Sequence, residues 1–534
     1  MRRVTVVVLV ALVLAGSLWG VTGALAEGSP SAAATAAESM RVDFNHDGFA
    51  DLAVGVPEED VGSVVDAGAV NVLYGSASGL TGAGSQFFTQ DSPGVANSTE
   101  ARDGFGDTLA AGDFDRDGFA DLVIGARFED VGGVFDAGAV HVLYGSASGL
   151  TATGSQYFTQ DTPGMGSSPE EEDWFGAALA AGDFDHDGFA ELAIGVNLED
   201  VGSIAVAGAV HVLSGSASGL LAAGSQLLTQ DTPGVPSSAE FGDNFGATLT
   251  TGDFDHDGFA DLAVGAMFED VGGSINAGAV NVLYGSAAGL TGTGSQLFTQ
   301  DTPGVANSAE RDDDFGSTLA AGDFDHDGFA DLAVAAFPEA VGGIEDAGAV
   351  HVLSGSASGL TATGSQYFTQ DTPGIADSPE QFDFFGWALA AGDFNDDGFD
   401  DLAIGVRENF ELILGAGGMV QVLYGSAGGP TSSGSQRLTQ DTPGVLGSVG
   451  SDGFGNALTT ADFDHDGIAD LAVSAPSEDV GGSANAGAVN VLYGSAAGLT
   501  GTGSQLFTQD TPGVGSSVEF KDFFGWALVG SRTR

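Results

Sequence analysis

Asp113-Phe114-Asp115-Arg116-Asp117-Gly118-Phe119-Ala120-Asp121 is a nine-residue acidic loop that this chain writes seven times. Near variants start at Asp43, Asp183, Asp253, Asp323, Asp393 and Asp462, so successive copies lie 70 residues apart, and 69 at the last step. A period that even predicts one structural unit built seven times, ahead of the several separate domains that 534 residues would otherwise suggest.

The surroundings of the second loop define the unit. Residues 105–112 (Phe-Gly-Asp-Thr-Leu-Ala-Ala-Gly) form a short apolar strand candidate leading into the loop. Leu122-Val123-Ile124-Gly125-Ala126 is a buried-strand run, 138–144 is a third strand and 155–159 a fourth, outer one. Gly-rich turns separate them, and 160–164 (Gln-Asp-Thr-Pro-Gly) opens the connection to the next copy. No stretch has helical periodicity. Four short strands repeated seven times predict an all-β fold, a seven-bladed β-propeller with four antiparallel strands per blade. The ends predict closure. Phe-Gly pairs at the repeat spacing occur at Phe105, Phe175, Phe245, Phe315, Phe385, Phe454 and Phe524, so the first acidic loop lacks one and the last repeat is followed by one. Seven loops and seven Phe-Gly strands balance if the C-terminal strand completes the first blade, which also removes an exposed sheet edge.

The loop is a hard-cation pattern. Ca²⁺ takes several oxygen ligands at roughly 2.3–2.6 Å. Acids at positions 1, 3 and 5 place short carboxylates on one tight loop, Gly at 6 permits the turn that aims the position 7 carbonyl inward, and an acid at 9 closes the shell. The candidate ligands are Asp43, Asn45, Asp47, Phe49 and Asp51; Asp113, Asp115, Asp117, Phe119 and Asp121; Asp183, Asp185, Asp187, Phe189 and Glu191; Asp253, Asp255, Asp257, Phe259 and Asp261; Asp323, Asp325, Asp327, Phe329 and Asp331; Asp393, Asn395, Asp397, Phe399 and Asp401; and Asp462, Asp464, Asp466, Ile468 and Asp470. The Phe and Ile residues enter through their carbonyls. An EF-hand would need Glu at position 12; here position 12 is Val54, Ile124, Ile194, Val264, Val334, Ile404 or Val473, so the chain should leave each loop into a strand. Asp and Gly also favour plain turns, but one spacing kept seven times favours up to seven Ca²⁺.

Composition bounds the partners. With 74 acids against 12 bases the formal charge is −62, and seven doubly charged ions would still leave −48. Such a surface repels nucleic acid and anionic membranes and favours cations and basic partners. Arg2 and Arg3, an apolar run to about Leu18 and Ala24-Leu25-Ala26 read as a secretory signal over 1–26, with an uncleaved anchor as the alternative. Residues 27–42 read as a flexible linker, 43–530 as the propeller and 531–534 as a tail. There is no Cys, so no disulfide stabilises a fold placed outside the cell, and calcium is the expected substitute.

The run Phe-Gly…Leu-Ala-x-Gly-Asp-Phe-Asp-x-Asp-Gly-x-x-Asp-Leu-x-Val-Gly-Ala…Gly-Ala-Val-x-Val-Leu-x-Gly resembles the FG-GAP repeat of integrin α-subunit propellers and their bacterial secreted relatives, over about residues 43–530. The resemblance implies a seven-bladed propeller with calcium in hairpin loops on one face, and adhesion or ligand recognition outside the cell. The sequence departs from the family pattern in carrying the loop in all seven repeats. The Gly-Ala-Pro element is mostly altered, as in Gly125-Ala126-Arg127, and no repeat holds an inserted domain.

Other constellations read as structure. Five His (His46, His186, His256, His326, His465) occupy loop position 4, pointing away from a metal. His141, His211 and His351 share a strand slot with Asn71, Asn281, Gln421 and Asn490, which suits polar packing better than zinc. Carboxylates can pair for glycoside hydrolysis, yet these recur in every repeat, and no catalytic residue is assigned. The 407–414 stretch of the sixth repeat is the most divergent, with Phe410, Leu412 and Ile413 as a candidate contact patch or a repacked loop. The expected function is a secreted calcium-binding module for adhesion or for binding an extracellular protein or glycan; the alternatives are a secreted hydrolase or its accessory domain, and a structural component of envelope or matrix.

Overall fold

A computed structural model describes residues 42–407, 417–448, 450 and 452–530. The expected leader, nearly all of the linker, the 531–534 tail and the Phe410 patch lie outside the described residues. The described chain forms 28 strands in seven four-stranded antiparallel sheets. In the second blade the strands run Thr108–Gly112, Asp121–Ala126, Ala139–Tyr144 and Thr151–Phe158 from the axis outward. The ring closes as expected. Leu528–Val529 pairs antiparallel with the first repeat's Leu52–Val56, Val529 opposite Ala53, and so supplies the first blade's innermost strand.

The second strand of each blade is a continuous apolar run because both of its faces are covered. Successive residues point to opposite seams. Leu52 and Val54 pack toward the last blade with Val489, Val491 and Phe524, whereas Ala53 packs toward the second with Leu122 and Ile124. Hydrophobic clusters of this kind fill the interfaces between neighbouring blades, so no blade has a core of its own. A seam thus needs both neighbours, and the ring gains most when every seam is closed.

The Phe-Gly pair has a physical cause. Phe105 is fully buried in the first seam. Gly106 has φ +97°, and a Cβ there would lie 2.5 Å from the Ala69 carbonyl oxygen of the preceding blade. Only glycine lets the inner strand start so close to its neighbour. The innermost strand itself begins at Thr108, later than the sequence predicts, except in the fourth blade, where it spans Phe245–Gly252. The outer strand begins earlier, at Thr151, across a register shift between Val142 and Tyr144.

Each innermost strand runs from the Phe-Gly end to the acidic loop. All seven acidic loops therefore share one face of the ring, and the 127–138 and 159–177 classes of connection share the other. Between the faces runs an axial cavity of ≈ 320 Å³, walled by a repeating Thr-Leu pattern (Thr108, Leu109, Thr248, Leu249, Thr318, Leu319) with Asp107 as its acid.

Candidate metal centres

Each acidic loop is tied by its own carboxylates. In the second loop Asp113 accepts N–H bonds from Asp117 (3.1 Å) and Gly118 (3.1 Å), and Asp117 accepts one from Phe119 (3.0 Å). The same bonds recur in the other copies, for example 3.0 and 3.1 Å from Asp257 and Gly258 to Asp253. Gly118, with φ +93°, makes the turn. Position 4 is also left-handed, Arg116 at +57° and, in the first loop, His46 at +54°.

Position 9 is the anchor. Asp121 is fully buried, and its two oxygens accept the Phe114 N–H of its own loop and the Gly145 N–H of the next turn, both at 2.9 Å. Asp51, Asp261, Asp331, Asp401 and Asp470 repeat both bonds. Burial pushes Asp121 up to about 8; the two N–H bonds oppose this, and the nearby Asp115 and Asp113 add to it. Asp51, Glu191, Asp261 and Asp470 are raised to about 8 for the same leading reason.

Converging carboxylates set the donor geometry. In five loops ligand oxygens lie within 4.8 Å of one another: Asp113, Asp115 and Asp121; Asp183, Asp185, Asp187 and Glu191; Asp253, Asp255 and Asp261; Asp323, Asp325 and Asp331; Asp462, Asp464 and Asp470. The first and sixth loops carry Asn45 and Asn395 at position 3, which removes one carboxylate but keeps an oxygen donor. Position 5 converges only in the third loop, where Asp187 joins the group; Asp117, Asp257, Asp327 and Asp466 stand outside it. All donors are oxygen. The buried Oε1 of Glu191 has no hydrogen-bond partner, and the anchors are buried among like charges. A hard divalent cation fits this donor set, supplying the charge that offsets burial.

The loops are linked to one another, which the sequence did not reveal. From the second loop to the seventh, the position 8 N–H donates to the position 1 carbonyl of the preceding loop, as in Ala120 to Asp43 (3.1 Å), Ala190 to Asp113 (3.0 Å) and Ala260 to Asp183 (3.0 Å). Position 4 reaches the same way. His46 bonds through Nδ1 to the Gly118 carbonyl (2.7 Å) and meets Phe119 edge-on (5.5 Å). Arg116 donates to the Asp187 carbonyl (2.8 Å), and His465 of the last loop meets Phe49 of the first (5.2 Å). Position 4 thus points away from its own loop, as expected, and onto the next.

A second set of carboxylates occupies the seams at the opposite face. Gln90 donates to Glu129 (2.6 Å), Gln300 to Glu339 (2.6 Å), Gln440 to Glu478 (2.7 Å) and, across the ring closure, Gln509 to Glu59 (2.6 Å). Each of these Glu residues is buried beside an equally buried Asp, such as Asp103 with Glu129 and Asp313 with Glu339. Gln90 and Glu129 lie in connecting stretches with no local pattern of their own, although their recurrence in nearly every repeat is a visible signal. The strand-slot histidines are packing residues: His141 is fully buried between Phe105 (5.1 Å) and Tyr157 (4.9 Å), and burial lowers it to about 3.

A model of the FG-GAP repeat matches residues 39–73, 105–143, 175–213, 245–283, 315–353, 385–423 and 454–492. Similar curated proteins include phosphatidylinositol-glycan-specific phospholipase D of Dictyostelium discoideum, 28% identical over 220 residues, covering 40% of this chain and 23% of that protein. The Bos taurus form is 33% identical over 161 residues, 30% of this chain and 18% of that one. Integrin alpha-3 of Cricetulus griseus is 29% identical over 183 residues, 33% of this chain and 15% of that protein. The matched segments thus span less than a quarter of these relatives. Among solved structures, the Pseudomonas aeruginosa periplasmic gluconolactonase aligns over 91% of this chain and all of its own, with a TM-score of 0.43 and 11% identity.

Proposed function

This chain belongs to the FG-GAP repeat family, and from that premise we propose that it is a calcium-stabilised scaffold that binds a ligand outside the cell. The observation that carries this reading is the division of the two faces. One face repeats an all-oxygen cation loop seven times, while the residues crowning the opposite face change from blade to blade. Val65, Phe135, Phe241, Ile275 and Phe520 stand exposed on the connections there. A repeated face suits stabilisation, and a varied face suits recognition. The side chains at positions 1, 3 and 9 (Asp, except Asn45 and Asn395 at position 3 and Glu191 at position 9), the position 7 carbonyl and, in the third loop, Asp187 would hold the ion. When bound it would supply positive charge to the buried position 9 carboxylates, beside which no basic side chain stands.

The secretory signal read over 1–26 supports an extracellular site. No described helix is long and apolar enough to cross a membrane. The accessory domain of a secreted hydrolase is a second reading, favoured by the similarity to the phospholipase D proteins. Binding of the purified protein to cell surfaces, with Ca²⁺ and with EDTA, tests the main reading: calcium-dependent binding supports it, and no binding in either condition removes it.

A further inference from the structure

The mouth of the axial cavity, on the face away from the acidic loops, breaks the sevenfold pattern. Three of the chain's four tryptophans, Trp174, Trp387 and Trp526, lie in the short segments that open the innermost strands there. Trp387 and Trp526 occupy the repeat position of Asp107, which lines the cavity. Trp174 sits three residues earlier in its own repeat.

Three neighbouring blades build one continuous cluster at this mouth. Trp526 is 38% exposed, and its side chain lies beside the buried Asp107 carboxylate. Asp107 pairs with Arg127 at 2.9 Å. The Arg127 guanidinium lies over Phe128 (4.7 Å) and Trp174 (5.4 Å), which meet edge-on at 5.7 Å. One blade further on, Asn197 takes the Arg127 position and Asn244 the Trp174 position. Both are more than nine-tenths buried, and their side-chain carbonyl oxygens have no hydrogen-bond partner; neither has the Trp174 Nε1. Buried polar atoms without partners are costly, and here one donor and two acceptors sit at successive seams beside half-exposed aromatic rings.

We propose that this rim, around Trp526, Trp174, Asn197 and Asn244, is the ligand-binding site of the propeller and that it takes a neutral glycan. The proposal rests on the ligand-binding reading above and names its ligand class. Flat indole faces match the C–H face of a pyranose ring. Sugar hydroxyls both donate and accept, which is what an indole N–H and two amide oxygens require together. The charge of −62 disfavours an anionic ligand, and Arg127 is already paired with Asp107.

The tryptophans make the site its own probe. Titration of the full-length, calcium-loaded protein with chito-, manno-, gluco- and galacto-oligosaccharides should change the intrinsic fluorescence saturably for at least one series. Trp526→Ala and, separately, Asn244→Ala should weaken that binding by about tenfold, ~1.4 kcal/mol, with the melting midpoint kept. Asn244→Ala keeps the test usable if loss of Trp526 disturbs the first blade. Binding to cell surfaces that survives deglycosylation and both substitutions would leave the ligand-binding reading standing and assign a protein partner, overturning the glycan proposal. Sugar binding untouched by either substitution would overturn the site. If neither sugars nor surfaces are bound, the ligand-binding reading itself falls.

Discussion

A single carboxylate decides each acidic loop. Position 9 is buried, with both oxygens held by backbone N–H groups in every loop but the third, whereas position 5 is exposed and in most loops stands apart from the converging oxygens. Asp261→Asn should therefore remove one calcium per chain and also leave a backbone N–H facing an amide N–H₂, costing about 1–3 kcal/mol. Asp257→Asn should weaken calcium binding and change stability by less than about 0.5 kcal/mol. Calorimetric calcium titration and melting of both variants check the ranking, and equal effects would contradict the geometry. The position 9 role was legible as a ligand but not as an anchor, because one of its two hydrogen-bond partners, Gly145 for Asp121, comes from a turn 24 residues later.

The seam glutamates give a pH dependence at the same scale. Burial, then the neighbouring Asp313, raises Glu339 from its ordinary 4.5 to about 7; the Gln300 and Asn307 amides lower it and Glu310 raises it. The folded protein therefore holds this proton more tightly than the unfolded chain. Its stabilising share is full below about pH 4.5 and is lost as pH rises to about 7. Glu339→Gln, which mimics the protonated form, should match wild type near pH 5 and exceed it at pH 8 by on the order of 1–2 kcal/mol, read by denaturant unfolding. A variant weaker than wild type at both pH values would show that the carboxylate is ionised and needed.

Among the elements, the strand order was readable because periodicity reports it: an apolar position 12 sent each loop into a strand, and Phe-Gly marked each inner strand. The links between blades were not, since they join residues about 70 apart that no local pattern connects. His46 onto Gly118 and Arg116 onto Asp187 belong to this class. Arg116→Ala removes a contact to the third loop while leaving every ligand of the second in place. It should lower calcium affinity at the third loop severalfold, measured by titration against wild type, and an unchanged binding curve would show the link to be passive. Gly106→Ala tests the inner strand. Its φ of +97° and the 2.5 Å approach to the Ala69 carbonyl predict a loss of at least about 1–2 kcal/mol.

For the whole molecule, the count of seven loops against seven Phe-Gly strands was enough to predict that the two ends meet. The cluster at the cavity mouth was not legible, because Asp107, Arg127, Trp174 and Trp526 come from three blades and Trp526 reaches the others only when the ring closes. A ring whose cores all lie between blades has no interior disulfide and a large excess of acid, so its stability should depend on cation binding. At tenfold saturation each site adds about 1.4 kcal/mol, and seven together roughly 10 kcal/mol, comparable to the total stability of an ordinary domain. The direct measurement is thermal melting of the purified chain in EDTA and in millimolar Ca²⁺, with bound calcium counted per chain. A midpoint that climbs steeply with calcium, with stoichiometry approaching seven, is the predicted result; equal midpoints in the two conditions with no calcium retained would contradict it.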